Sequence, residues 1–251
     1  MKSFKIFLCL LFLGNGWLYC QTSGDGEIRA YNIDYNWGPG GAHGFAAPGL
    51  WADANPRKLM KWYESLGCNA VQSFGVSCNG YAWYRGGIVQ EQPGLKFDFL
   101  PRMVKIGHRK KMKVFAYFCV GANNKWEHDH PDLCYQSDGQ QIPLTSEYLY
   151  YLTSSISDAI QKSDADGIMI DWFYNPGGGN DPLPPLKWLP CEQTMFRELM
   201  KMPFPGIDKI TSESELEFRR KAIDRAWEQI RDAVKQVKPE CIIWLTAYNV
   251  F

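Results

Sequence analysis

The chain has 251 residues, with 27 Lys and Arg balanced by 27 Asp and Glu. Zero formal net charge excludes a basic nucleic-acid arm or an acidic solvating tail as the main device, while 45% hydrophobic and 22% charged residues suit a globular core. The length holds one large α/β domain or two small ones. Aromatic content stands out at 15% of the chain, a surplus that either lines a binding cleft or fills a large barrel.

Residues 1–20 read as a secretory signal peptide. Lys2 and Lys5 make a positive start, residues 6–13 (IFLCLLFL) form an apolar run too short to span a bilayer, and Gly14-Asn15-Gly16 breaks it. Cleavage before Gln21 implies a secreted or periplasmic protein with no membrane span, and the bulky Trp17 and Tyr19 argue against a lipid anchor on Cys20. Loss of the two lysines leaves the mature chain slightly acidic. Cys68, Cys78, Cys119, Cys134, Cys191 and Cys241 remain, with no Cys-x-x-Cys to suggest a zinc ribbon or a redox motif. Export permits a disulfide, and Cys134 with Cys191 is the first pair to test because both fall in long loops.

Strands and helices then alternate. Residues 30–37 (AYNIDYNW) read as a strand, followed by a Gly-rich loop to about residue 55. Residues 56–66 form a helix with Pro56 near its start and Gly67 past its end. Strands are predicted over 69–76, 113–120 (KVFAYFCV), 166–173 (DGIMIDWF) and 241–248 (CIIWLTAY). Helices are predicted over about 98–111, from a Thr145 cap to about 162, and over 213–238. The stretches 121–143 and 174–211 read as long loops, the second with short helical pieces.

Strands joined through helical crossovers imply parallel pairing, which leaves an open doubly wound sheet or a (β/α)8 barrel. The first strand favours the barrel: Asn32, Asp34 and Asn36 share one face, whereas strands of an open α/β sheet are apolar on both. Every long loop follows a strand, as in barrels that gather their sites at the C-terminal mouth. No Gly-x-Gly-x-x-Gly follows the first strand to support a dinucleotide fold. Only about five βα units are legible, so residues 21–251 are expected to form the N-terminal part of a (β/α)8 TIM barrel, a fragment of a longer protein.

Chemistry points to Asp171. Alternation puts Met169, Asp171 and Phe173 on one face, so this carboxylate points inward near the C-terminal end of an apolar strand, as a glycosidase nucleophile or base requires. Trp172, Tyr174 and Asn175 follow at once and offer stacking faces and hydrogen bonds to a sugar. Asp34 and Asn36 could bind sugar hydroxyls, or else form an internal polar network. Trp37 and Trp126 sit in or beside loops, where stacking on a sugar is plausible. Glu127, Asp129, Asp181 and Glu192 are the candidates for a second carboxyl.

The strand DGIMIDWFYNP, the Asn/Asp/Trp-rich first strand and the segment WEHDHPDLCY resemble the barrel domains of glycoside hydrolases, most closely the α-L-fucosidase-like group of glycoside hydrolase family 29 and hypothetical relatives in its clan. The likeness covers about residues 28–251. It implies a retaining mechanism with Asp171 in the place of the fourth-strand nucleophile and an acid/base carboxyl from a later loop. Where the family has His-Phe-Gly and His-His-Asp-Gly, this chain has Asn36-Trp37-Gly38 and Phe74-Gly75-Val76.

The expected function is therefore exported hydrolysis of oligo- or polysaccharide glycosidic bonds, with a carbohydrate substrate, no cofactor, no metal and no nucleic-acid partner. The alternatives are a non-catalytic carbohydrate-binding protein on a degenerate barrel and a metal-dependent hydrolase using His128 and His130. Adjacent residues in Glu127-His128-Asp129-His130 rarely wrap one ion without a distant ligand, so a solvated loop is the plainer reading.

Overall fold

The structure, a computed structural model, describes residues 27–135, 142–173 and 186–246. The signal-peptide segment, Tyr174, Asn175 and Asp181 lie outside the described residues.

Five strands form one parallel sheet: β1 (Ala30–Tyr31), β2 (Ala70–Val76), β3 (Lys113–Cys119), β4 (Gly167–Asp171) and β5 (Ile242–Leu245). Their spatial order is their chain order. A doubly wound sheet reverses direction at a switch point, whereas a singly wound barrel adds each strand beside the last, so the order decides for a partial (β/α)8 barrel. The edge strands β1 and β5 line one cavity of about 500 Å³ that also takes in Phe115.

The described residues form six α-helices, and the helix ends follow local chemistry. In α1 (Pro56–Ser65) the Asn55 side chain accepts from the backbone N–H groups of Arg57 and Lys58, and Gly67 takes a φ of 73° just past the end. Asp98 precedes α2 (Phe99–Arg109). Thr145 accepts from Tyr148 N–H to open α4 (Ser146–Ser163), and Thr211 accepts from Ser214 N–H to open α6 (Ser212–Val237). Along α6 the buried residues are Phe218, Ala222, Ala226, Ile230 and Val234, one stripe at helical spacing. Residue 164 leaves α4 in the left-handed region, where Lys238 Nζ reaches Asp164 Oδ1 at 2.7 Å and ties the ends of α4 and α6 together.

The core lies on both faces of the sheet. Every residue of β2 is buried, as is all of β3 except Lys113. Tightness is set at glycines: a Cβ on Gly75 would stand 2.5 Å from the Phe118 ring. Much of the aromatic surplus is spent here. Trp83 stacks on Tyr35 with centroids 5.2 Å apart, beside Phe74 and Phe99. Its indole N–H donates to Ser77 Oγ at 3.1 Å, and Gln92 Nε2 donates to the same oxygen at 2.9 Å, so these three buried groups are paired.

Four expectations need correction. The first strand ends at Tyr31 because only Ala30 and Tyr31 pair with β2; beyond them Asp34 Oδ1 accepts from Asn36 N–H at 2.8 Å, a local bond that turns the chain away from the ladder. The loop after β3 contains a short helix, α3 (Asn124–Asp129), capped by the Asn123 side chain accepting from Trp126 N–H. The loop after β4 holds an eleven-residue helix, α5 (Pro190–Met200), rather than short pieces. Cys134 and Cys191 are free thiols, and burial raises their pKa values to about 12 and about 11 respectively.

Candidate active site

Asp171 closes β4, paired in register with Cys119 of β3. It is half-buried, and Tyr117 Oη donates to its Oδ2 at 3.0 Å. Burial raises the Asp171 pKa; the Tyr117 hydroxyl and the Trp172 backbone N–H oppose that rise, and the charge of Asp34 adds to it. Trp172 has a φ of 53°, a strained choice for a bulky residue, and there strand alternation stops. The turn brings its ring to 5.8 Å from Phe45 and 6.4 Å from Trp37. The segment after β1 and the end of β4 thus meet in an aromatic cluster beside the carboxylate.

Asp34 and Trp37 form one unit on that segment. The indole N–H of Trp37 donates to Asp34 Oδ2 at 3.0 Å, and the ring is 47% exposed. Asn36 is 3% exposed, and its Oδ1 accepts from the backbone N–H of Cys78 at 2.8 Å. That placement fits the internal polar network rather than a contact with ligand. Asp34 and Trp37, by contrast, are exposed to solvent.

Trp126 is placed in a satellite core. It is 7% exposed, stacked on His130 with centroids 3.7 Å apart and packed against Tyr148 and Tyr151. This corrects the expectation of a sugar-stacking loop residue: helix α3 turns the ring inward. His128 is 88% exposed on the same short helix, so the two histidines of Glu127-His128-Asp129-His130 diverge. Among the described residues no group of three or more His, Cys, Asp or Glu gathers to hold a metal ion, and no helix is long and apolar enough to cross a membrane.

The second-carboxyl candidates separate clearly. Asp129 is paired with Lys125 at 2.7 Å and with His128 at 3.0 Å, which hold its pKa below the usual range. Glu192 is fully buried, accepting from Tyr135 Oη and, at 2.8 Å, from Leu189 N–H; it caps α5. Glu127 differs from both. His43 Nε2 meets its Oε2 at 3.1 Å, its Oε1 is buried with no hydrogen-bond partner among the described residues, and burial raises its pKa against the opposing pull of His43.

Sequence reading missed Tyr117, Cys78 and His43 as parts of this site. Tyr117 falls within the strand expected over 113–120, yet nothing local signals that its hydroxyl meets a carboxylate 54 residues away. His43 sits at a φ of 56° in a 3-10 turn of the first loop, a feature only coordinates show.

Residues 55–172, which run from the α1 cap to the residue after Asp171, match the family model described as hypothetical glycosyl hydrolase 6. No curated protein matches the chain by sequence. The solved α-L-fucosidase isoenzyme 2 from Paenibacillus thiaminolyticus is similar with a TM-score of 0.63 at 18% identity, over 88% of this chain and 32% of the fucosidase. An α-galactosidase from Lactobacillus brevis gives a TM-score of 0.49 at 16% identity, over 87% of this chain and 27% of that one. This chain therefore spans about a third of the fucosidase, 32% of its length, and shares its fold. By family model over residues 55–172 and by fold over the five-stranded sheet, the chain resembles the barrel domains of glycoside hydrolases, an α-L-fucosidase among them.

Proposed function

We propose that this chain carries the reacting carboxylate of a retaining glycosidase, with Asp171 as nucleophile. The carrying observation is the position of Asp171: a half-buried carboxylate at the C-terminal end of a parallel barrel strand, hydrogen-bonded by Tyr117 and bordered by Trp172 and Trp37. The glycosyl hydrolase family match over residues 55–172 supports the reaction class.

In this mechanism an Asp171 oxygen attacks the anomeric carbon as the bond to the leaving oxygen breaks, giving a glycosyl ester. The leaving oxygen takes its proton from a second carboxyl, which then removes a proton from the water that hydrolyses the ester. Among the described residues Glu127 fits the acid's chemistry, since burial favours its protonated form and one oxygen is unpartnered. Asp34 accepts sugar hydroxyls, and the exposed Trp37 ring offers an apolar face to a pyranose. Export through cleavage of residues 1–20 belongs to the same proposal and is tested by N-terminal sequencing of the mature protein, which should begin at Gln21.

The test is a panel of 4-nitrophenyl glycosides, α-L-fucoside included, with the wild type and Asp171→Asn. Turnover of one member by the wild type and its loss in a folded Asp171→Asn protein are expected, with azide restoring product as a glycosyl azide in Asp171→Gly. Undiminished turnover in Asp171→Asn overturns the assignment of the nucleophile. Saturable binding of a sugar by a wild type that hydrolyses none of the panel would favour the binding-protein reading.

A further inference from the structure

Residues in or after four consecutive strands contribute to a single hydrogen-bonded chain. Asn36, beyond β1, accepts the Cys78 N–H through its Oδ1 at 2.8 Å. Cys78 stands two residues past β2, and its Sγ lies 3.5 Å from Tyr117 Oη. Tyr117, in β3, donates to Asp171 Oδ2 at 3.0 Å, and Asp171 ends β4.

Counting protons gives the bond from Tyr117 to Asp171 its direction. A phenol has one hydroxyl hydrogen, and Tyr117 spends it on Asp171. With that hydrogen on Asp171, the contact between sulfur and phenolic oxygen is made with the thiol's hydrogen, for which the Cys119 side chain competes. Burial pushes both the Cys78 thiol and the Tyr117 phenol well above their ordinary pKa values, so both protons stay in place. The sequence of bonds reads S–H to O–H to carboxylate. On its other side Cys78 meets the Cys119 side chain, and Cys119 is the register partner of Asp171. Among the described residues the further charged group that acts on Asp171 is Asp34, whose charge disfavours its ionisation.

We propose that Cys78 and Tyr117 are positioning residues, a one-way donor relay that holds Asp171 ionised and in one orientation, with Asn36 clamping the Cys78 backbone. Burial and Asp34 both favour a neutral Asp171, and a neutral carboxyl is no nucleophile. The relay opposes both. The inference bears on the charge state of Asp171 whether or not the glycosidase reading holds.

The experiment follows carboxyl carbon resonances in protein labelled with carbon-13 at the aspartate side chains, with Asp171→Asn identifying the Asp171 signal. Tyr117→Phe keeps the ring that packs on Phe74 and removes only the donor. It should raise the Asp171 midpoint by about one pH unit, the loss expected for one hydrogen bond to a charged group. Cys78→Ala should raise it by a smaller step, and Cys78→Ser, which restores a donor, should return it towards the wild-type value. In a turnover assay Tyr117→Phe should move the acid limb of kcat upwards with little change in KM. An unmoved midpoint in a Tyr117→Phe protein with wild-type circular dichroism overturns the relay, and equal shifts in Cys78→Ala and Cys78→Ser overturn the part given to Cys78. The midpoint is read without substrate, so a wild type that hydrolyses nothing would sink the glycosidase reading and leave this test standing.

Discussion

His43 Nε2 lies 3.1 Å from Glu127 Oε2, joining the first strand-following loop to helix α3 across 84 residues of chain. The contact holds one oxygen of Glu127 and leaves Oε1 buried with no partner among the described residues, an arrangement that suits a proton donor awaiting an acceptor. Glu127→Gln should lower kcat by about 10²–10⁴-fold on alkyl glycosides, the range for loss of a general acid. The loss should be much smaller on 4-nitrophenyl glycosides, whose leaving group needs little protonation. Equal losses on both substrates would remove Glu127 from that role.

Stability should depend on pH in a defined direction. Burial raises the pKa values of Glu127, Asp171 and Glu192 in the folded protein. Each folded-state value exceeds the unfolded one, so the stability these groups contribute is full below the ordinary glutamate value of 4.5 or aspartate value of 3.8 and is lost as pH rises through the folded values. Thermal melts should show Tm falling across that window in the wild type. The fall should be shallower in Glu127→Gln, and an identical slope in the two proteins would contradict it.

Gly167 opens β4 where the sheet has no room for a side chain. A Cβ there would stand 2.6 Å from the Ile242 carbonyl oxygen and 2.6 Å from the Phe115 ring. Neither the backbone of β5 nor a ring packed at the centre of the sheet yields easily. Gly167→Ala should destabilise the protein by about 1–3 kcal/mol, the usual cost of overpacking. Urea titration measures it as a lower midpoint at unchanged slope.

Trp37 is the aromatic ring of the site with most surface open to solvent, 47% exposed, and its indole N–H holds Asp34. Trp37→Ala should therefore weaken binding of the sugar that the wild type turns over by about tenfold, roughly one stacked ring in energy. Tm should also fall, because the half of the ring that is not exposed packs on Phe45 and Trp172. Titration calorimetry on Asp171→Asn protein separates binding from turnover.

Elements that rest on short-range chemistry were legible. Asn55 with Pro56, Thr145, and the apolar stripe of α6 each encode a helix within a few residues, and α1, α4 and α6 form where that chemistry places them. The apolar runs of β2 and β3 likewise mark strands buried on both faces. The first strand was overread because alternation alone cannot tell a paired strand from an extended segment that Asp34 turns aside. Trp126 was misplaced for a similar reason: its direction depends on a six-residue helix capped by Asn123, too short to give a periodic signal.

By itself the sequence determined the alternation of strands and helices, the placing of long segments after strands and the presence of Asp171 at an apolar strand's end. All three follow from periodicity and capping, which act over a few residues. Tertiary structure alone decided what surrounds that carboxylate. Tyr117 meets Asp171 because β3 and β4 pair in one register, and Asn36 meets Cys78 rather than solvent because the segment after β1 folds across the sheet end. A shift of one residue in that register would turn Tyr117 to the opposite face, and such a register is set by the packing of the whole sheet.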